Sequence, residues 1–563
     1  MRKNNLMTDN PIRSFGKNRK EVCVLVGILM VFVVFVCVNR LPQGHDMGFS
    51  FLRIHSIALE MANGKFWPVH YYSNLPFGGA IPLFYPDWFL FFPGLIEWLG
   101  LSTYHAYKMF VILCVIAMAL SMYVSANIIL RDKKAALFAA IAYFTASYTI
   151  TNAFIRCALG ELQSMIFVPL AFAGLYAILY QKNTRKWLLL PLGMTGLLGC
   201  HLLGTMMTAF ILALFVVLSY RKITWRVMAD LAKSVLLTIV LSATFVFPFV
   251  EQMLSVHGTQ ITAQSRVAGV AHRALPLDWH LFTINHGMIN DIASWRPPGI
   301  GLLLPVVLLF CFLGCWKLKS KKQKIENKAP LFLLLALLSL VFTTNIFLPY
   351  GWFDKALGFL QFPWRFLVFV TMFTAIAAAA VYQLVKENRT MYRAFLTLSV
   401  LAIVAVPLLF VPRLKAEMLG GAFDPASRNT WGDYLPDDAN EDEYVDLDIT
   451  YEPSVAMLSG EMEQIGGAFI LHFEKKAEAV AVQFPATWYK GFSAKLDNGE
   501  TLATAYGNND VVRVILPAEE QSGVLTVQYT GTVIQKIAAS VSLLGFVGLL
   551  VGFIVSLRKK KGE

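Results

Sequence analysis

Apolar runs alternate along this chain with short polar segments, and many of the runs reach the roughly 20 residues that a helix needs to cross a hydrocarbon core of about 30 Å. The pattern predicts about twelve transmembrane helices, near 22–39, 107–130, 135–152, 162–180, 187–202, 204–220, 234–254, 298–316, 330–349, 364–385, 394–412 and 536–557. The unbroken apolar stretch from Trp187 to Tyr220 is too long for one span and is divided near His201 and Gly204. No small-residue cleavage site follows the run at 22–39, so it reads as a retained anchor. After residue 413 the period changes. AVAVQF and GVLTVQY alternate apolar with polar positions, and DNG and GNND supply turns, which is the signature of antiparallel strands. The predicted fold class is a polytopic α-helical membrane protein with an extracytoplasmic β-sandwich or jelly-roll domain before the last helix.

Charge orients this arrangement. The segments 1–21, 131–134, 181–186, 221–233, 317–328, 386–393 and 558–563 alternate with the others across the spans, and they hold 29 of the 48 Lys and Arg but 7 of the 36 Asp and Glu. Their net charge is +22 against −10 for the rest, so the positive-inside rule places them in the cytoplasm. The domains then follow as a cytoplasmic N-terminus at 1–21, a transmembrane domain at 22–412 with outer loops 40–106 and 255–297, a β-rich domain at 413–535, the final helix at 536–557 and a cytoplasmic tail at 558–563. A composition 56% hydrophobic and 15% charged excludes a water-soluble fold, and the excess of positive charge is a topology signal, so no nucleic-acid partner is implied. The seven cysteines lie in or beside apolar runs, with none at 413–535, so the β-rich domain has no disulfide framework.

Function is expected where the chain leaves the membrane on the outer side, because ionisable groups at the edge of an apolar bundle are costly to desolvate. Asp46, in GHD after the first span, is a candidate general base with His45 and His55 near it in sequence, or else a cap on the interfacial helix starting at Met47. Asp87 in FYPDWF is a second active-site carboxylate, catalytic alongside Asp46, or another helix cap. Arg53, two turns after Asp46, either holds a phosphate or snorkels. Arg156 and Glu161 bracket an outer link in RCALGELQ, as an ion pair or as part of a site. Arg365, with Trp364 beside it in LQFPWRF, either binds a phosphate bidentately or anchors its helix. The loop 255–297 gathers His257, Arg266, His272, Arg273, His280, His286 and Arg296, which could close over an anionic headgroup; the spacing of its histidines is not that of a zinc site, and no metal is expected. The acidic run at 437–448 reads as a solvated loop, and Trp431, Trp488 and Tyr489 as core residues of the β-rich domain or as a saccharide platform.

GHD followed by an interfacial helix, FYPDWFLFFP, the Arg156–Glu161 pair and QFPWRF resemble the YfhO-type bacterial membrane proteins of the GT-C glycosyltransferase superfamily, which include proteins labelled as 6-pyruvoyl-tetrahydropterin-synthase-related. FPATWYKGFSAKLDNGE and VVRVILPAEEQSGVLTVQYTGT before a final span are similar to that family's C-terminal end. Pterin chemistry is not implied by the label. The resemblance implies a GT-C-like transferase with a polyprenyl-phosphate-linked sugar as donor, working among membrane lipids on a cell-envelope glycan or protein acceptor and requiring no cofactor. It places Asp46 as catalytic base and Arg365 and Arg156 at the lipid phosphate. Two other classes of function compete: a transporter or flippase for a lipid-linked saccharide, which needs charges near the bilayer midplane, and a non-enzymatic scaffold whose outer domain binds saccharide.

Overall fold

The computed structural model of the protein describes residues 19–38, 41, 44–72, 77–181, 185–255, 274–275, 282, 299–320, 327–344, 346, 360, 362–417, 434–436, 450–452, 458–476 and 478–559. Its helices in chain order are α1 (Arg19–Val38), α2 (Met47–Ala62), α3 (Ile81–Phe84), α4 (Phe91–Trp98), α5 (Thr103–Leu130), α6 (Lys133–Phe144), α7 (Ser147–Ile150), α8 (Leu159–Tyr180), α9 (Leu189–Leu198), α10 (Leu202–Leu218), α11 (Trp225–Leu241), α12 (Ala243–Met253), α13 (Leu303–Ser320), α14 (Ala329–Val341), α15 (Leu367–Val385), α16 (Arg389–Glu417) and α17 (Val533–Lys559). A π-helical turn, Thr151–Ile155, extends α7.

Among the described residues six helices are long and apolar enough to cross a membrane alone: Thr103–Leu130, Leu159–Tyr180, Leu303–Ser320, Pro363–Val385, Arg389–Leu408 and Val533–Val555. Two bent pairs raise the number to eight, Lys133–Phe144 with Ser147–Ile155 at 46° and Trp225–Leu241 with Ala243–Met253 at 75°. The other four expected runs carry apolar helices too short to count by length, Cys23–Val38, Lys186–Leu198, Leu202–Leu218 and Ala329–Val341. Six to eight spans, rather than the expected twelve, therefore meet the requirement. The sharper bend has a visible cause. Ser234, Thr238 and Ser242 each donate a hydroxyl to the carbonyl four residues back, at 2.7, 2.8 and 2.6 Å, which competes with the helical ladder and bends it.

Small residues draw the helices together at the centre of the bundle. A Cβ on Gly174 of α8 would lie 2.8 Å from Leu190 Cα of α9, and one on Gly193 would lie 2.6 Å from the Ala171 backbone nitrogen, so both helices approach backbone to backbone. The stretch Trp187 to Tyr220 does divide as expected: α9 ends at Leu198, and His201 caps α10 by accepting the Gly204 N–H at Nδ1, 3.0 Å.

Among the described residues the β-rich segment forms two antiparallel sheets, of four and five strands: β1 (Thr450–Glu452), β2 (Leu458–Ile465), β3 (Ala468–Lys475), β4 (Val480–Thr487), β5 (Phe492–Leu496), β6 (Thr501–Leu502), β7 (Thr504–Tyr506), β8 (Val511–Leu516) and β9 (Ser522–Tyr529). The orders are β1-β4-β8-β7 and β2-β3-β9-β5-β6. The alternation noted in the sequence places Phe469, Leu471, Phe473, Val482, Val514 and Leu525 in one core.

This domain is bolted to the helical body through the segment after α2 and the end of α12. The Thr487 N–H donates to the Phe77 carbonyl at 2.8 Å, and Lys65 Nζ donates to the Gly466 carbonyl at 2.8 Å. Gln252 pairs with the Lys490 backbone in both directions, at 2.6 and 3.2 Å. His70 stacks on Tyr529 with centroids 5.1 Å apart, and Phe492 and Tyr489 present edges to it. The end of the spans facing this domain is termed the sheet side below.

Candidate functional site

Two backbone hydrogen bonds assemble the site. The His45 N–H donates to the Ile155 carbonyl at 3.3 Å and the Asp46 N–H to the Arg156 carbonyl at 2.8 Å, pairing the turn before α2 with the end of the α7 π turn. Gly44 permits that approach, because a Cβ there would collide with Cys157 Sγ. Cys157 itself holds φ of 53°, which turns the chain into α8.

The pairing sets the Asp46 carboxylate 3.8 Å from Arg156 with about half of its side chain exposed. Asp46 stands at the cap position of α2, but its side chain makes no cap hydrogen bond. Capping, the bland reading of this residue, is therefore absent. Arg156 Nη1 bonds Glu161 Oε1 at 2.8 Å and Asn152 Oδ1 at 3.1 Å. Arg365 Nε meets the same Glu161 oxygen at 2.9 Å, and its Nη1 donates to the Leu360 carbonyl at 2.9 Å. Tyr148 donates to the other Glu161 oxygen at 2.6 Å. The two arginines and one carboxylate are buried and carry a net positive charge, at the first turn of α8, where the helix's free N–H groups also favour an anion.

The other sequence candidates gather elsewhere. Asp87 is buried and bonds both Arg53 and the Tyr71 hydroxyl, while Arg53 also donates to the Pro86 carbonyl at 3.0 Å. The Arg53 guanidinium lies between the Phe49 ring, 4.9 Å away, and the Tyr85 ring, 4.3 Å away. Asp87 is thus no helix cap, and Arg53 does not snorkel; each neutralises the other. His55 contacts Glu97 Oε1 at 2.5 Å, an oxygen that also accepts from Thr103 at 2.8 Å, in a third cluster between α2 and α4. His45 is exposed beside Asp46. Trp364 is buried and stacked on Phe362 at 4.3 Å, and it is the Phe362 ring that lies under the Arg365 guanidinium, at 5.2 Å. Residues 256–273, most of the rest of the loop 255–297, the acidic run 437–448 and Trp431 lie outside the described residues. Tyr489 is buried against the helical body rather than in the core of the β-rich domain, with Phe84 at 6.0 Å between centroids, and donates its hydroxyl to the Tyr434 carbonyl at 3.2 Å, while Trp488 meets Tyr506 edge-on at 5.8 Å.

Sequence reasoning missed Tyr85, Tyr148, Asn152 and His201. Tyr148, Asn152 and Arg156 recur every four residues, which was a legible sign of a common helical face. Tyr85 precedes a proline, which favours the extended backbone it adopts, φ −128° and ψ 112°. Its phenol lies between the two clusters. Burial pushes it up to about 12, opposed by Arg53 and reinforced by Asp46.

A further concavity lies nearby. It is a small cavity of about 30 Å³, lined by Thr145 and Ser147 from the chain leading to Arg156, by Val370 and Thr374 from the helix that Arg365 opens, and by Leu302 and Val406.

Membrane-length helices, a two-sheet antiparallel domain and a buried Arg156–Glu161–Arg365 cluster with Asp46 beside Arg156 define a polytopic membrane protein with a charged site at one end of its spans. A family profile described as "6-pyruvoyl-tetrahydropterin synthase related domain; membrane protein" matches residues 84–417, more than half of the chain. The chain belongs to that family of membrane proteins. No curated protein matches it. Among solved structures it is similar to the oligosaccharyltransferase of Archaeoglobus fulgidus in the apo form, with 12% identity and a TM-score of 0.41 over 73% of this chain and 57% of that one. The chain thus spans a little over half the length of that enzyme.

Proposed function

We propose that this protein is a GT-C-type membrane glycosyltransferase that moves a sugar from a polyprenyl-phosphate donor to an extracytoplasmic cell-envelope acceptor. The observation that carries the reading is the juxtaposition of Asp46, half exposed and uncapped, with Arg156 and Arg365, which share one oxygen of Glu161. An acceptor hydroxyl is weakly nucleophilic until a carboxylate takes its proton as the new bond to the anomeric carbon forms, and Asp46 is the carboxylate free to do so. The departing group is a lipid phosphate, and the net positive Arg–Glu–Arg cluster with the α8 N-terminus stabilises the charge it gathers. Holding donor and acceptor together supplies much of the remaining acceleration. Phosphate is already a good leaving group, so no metal or cofactor enters the proposal. Asp87, neutralised by Arg53, acts by holding the wall of the site.

The test is envelope glycan composition, by mass spectrometry, in wild type, a deletion strain and an Asp46→Asn strain with matched protein abundance. Loss of the same hexose or aminosugar in both altered strains, a rate loss of roughly 10² to 10⁴ for the point variant, is expected. Normal glycans in the Asp46→Asn strain remove Asp46 from the chemistry.

A further inference from the structure

We propose that Tyr85 is a substrate-touching residue of this site, its hydroxyl donating a hydrogen bond to the phosphate-type anion that Arg156 and Arg365 attract. The inference rests on the functional reading above and adds a ligand that neither charge nor motif picks out. The hydroxyl sits against the first turn of α8, where a Cβ on Gly160 would collide with it and would lie 3.1 Å from the His201 ring. Only glycine at this position leaves that space, and the residue that follows it is Glu161, the carboxylate bonded to both arginines.

The ring cannot swing away. Arg53 covers one face at 4.3 Å, and Phe49, Tyr434 and His201 pack around it at 5.9, 5.9 and 6.0 Å between centroids. Tyr434 belongs to the segment between α16 and β1, so the sheet side itself helps to hold the phenol in place. Tyr85 nevertheless remains partly exposed, unlike the fully buried Tyr107, Tyr143 and Tyr148. Its hydroxyl stays protonated at neutral pH and is therefore a donor. A phenol fixed at a helix N-terminus, with Arg53 over its ring and Arg365 within electrostatic reach, is complementary to an oxyanion. The phenol oxygen already faces the Arg53 guanidinium, so its proton is what remains to be offered to a ligand.

The full-length protein in nanodiscs is titrated with undecaprenyl phosphate, with undecaprenol and with inorganic phosphate, as wild type, Tyr85→Phe and Gly160→Ala. Tyr85→Phe is expected to weaken undecaprenyl phosphate roughly tenfold or more, the size of one hydrogen bond to a charged group, with undecaprenol binding and melting temperature unchanged. Gly160→Ala, which displaces the hydroxyl without removing it, is expected to give a similar loss. Weakening of inorganic phosphate as well would locate the effect in the anion alone, whichever molecule carries it. Equal affinity of wild type and Tyr85→Phe for undecaprenyl phosphate overturns the role of Tyr85 and leaves the transferase reading standing. Failure of the wild type to bind undecaprenyl phosphate overturns both.

Discussion

Glu161 receives Arg156, Arg365 and Tyr148 on its two oxygens in a buried setting, and so does for the site what no surface carboxylate could. Two guanidiniums so close to each other repel, and burial withholds the water that would screen them. Replacing Glu161 by Gln therefore removes the buried carboxylate that both arginines share and leaves the half-exposed Asp46, 3.8 Å from Arg156, as a poor substitute, and the variant is expected to lose about 3–5 kcal/mol of stability, read as a lowered melting temperature in detergent. An unchanged melting curve would mean that the arginines do not depend on that carboxylate. Asp87 and Asp46, both aspartates on the same side of the bundle, have opposite fates. One is consumed by a buried arginine and a tyrosine, the other is half exposed with its arginine at 3.8 Å. Nothing in GHD or FYPDWF distinguishes them, because the distinction lies in which side chains from elsewhere reach each carboxylate.

At the scale of elements, the site depends on segments held by few contacts: the turn at 44–46 laid along 155–156, and the stretch after α2 clamped under the β-rich domain. His70 is the pivot of that clamp. Burial among Tyr72, Tyr489, Phe492 and Tyr529, with Lys65 adding, lowers it from its ordinary 6.5 to about 3. The folded state therefore favours the neutral ring, and its contribution is complete above about pH 6.5 and is lost as pH falls toward 3, by at most about 1.4 kcal/mol per pH unit. Hydrogen exchange of residues 64–72 and of β9 should accordingly show easier opening at pH 5 than at pH 7 after correction for intrinsic rates. In His70→Phe that difference should vanish; its persistence would place the pH response in another group. The helices behaved as their patterns foretold in position more than in length. The apolar runs end where Ser242 and its neighbours bend the chain or where His201 starts a new cap, and both effects depend on hydroxyl and imidazole hydrogen bonds that hydropathy does not register.

For the whole molecule, the distribution of basic residues predicts that the β-rich domain and the site lie outside the cell. In a variant without the native cysteines, Asn498→Cys is expected to react with a membrane-impermeant maleimide in intact cells, and Lys319→Cys only after lysis; both positions are exposed. The reverse pattern would turn the protein over and deny an extracytoplasmic acceptor. What the amino-acid order determined alone was the membrane body, the change to strand period after 413 and the residue types available at the sheet side, since hydropathy, alternation and charge balance are local sums over neighbouring residues. Tertiary structure decided which carboxylate is free, which arginines share Glu161, that Tyr85 stands beside Gly160, and that the β-rich domain is clamped onto the loop carrying His70. Apart from the Arg156–Glu161 pair, which is local in the sequence, those outcomes join residues up to a few hundred positions apart through burial and hydrogen bonding, and no window along the chain contains both partners.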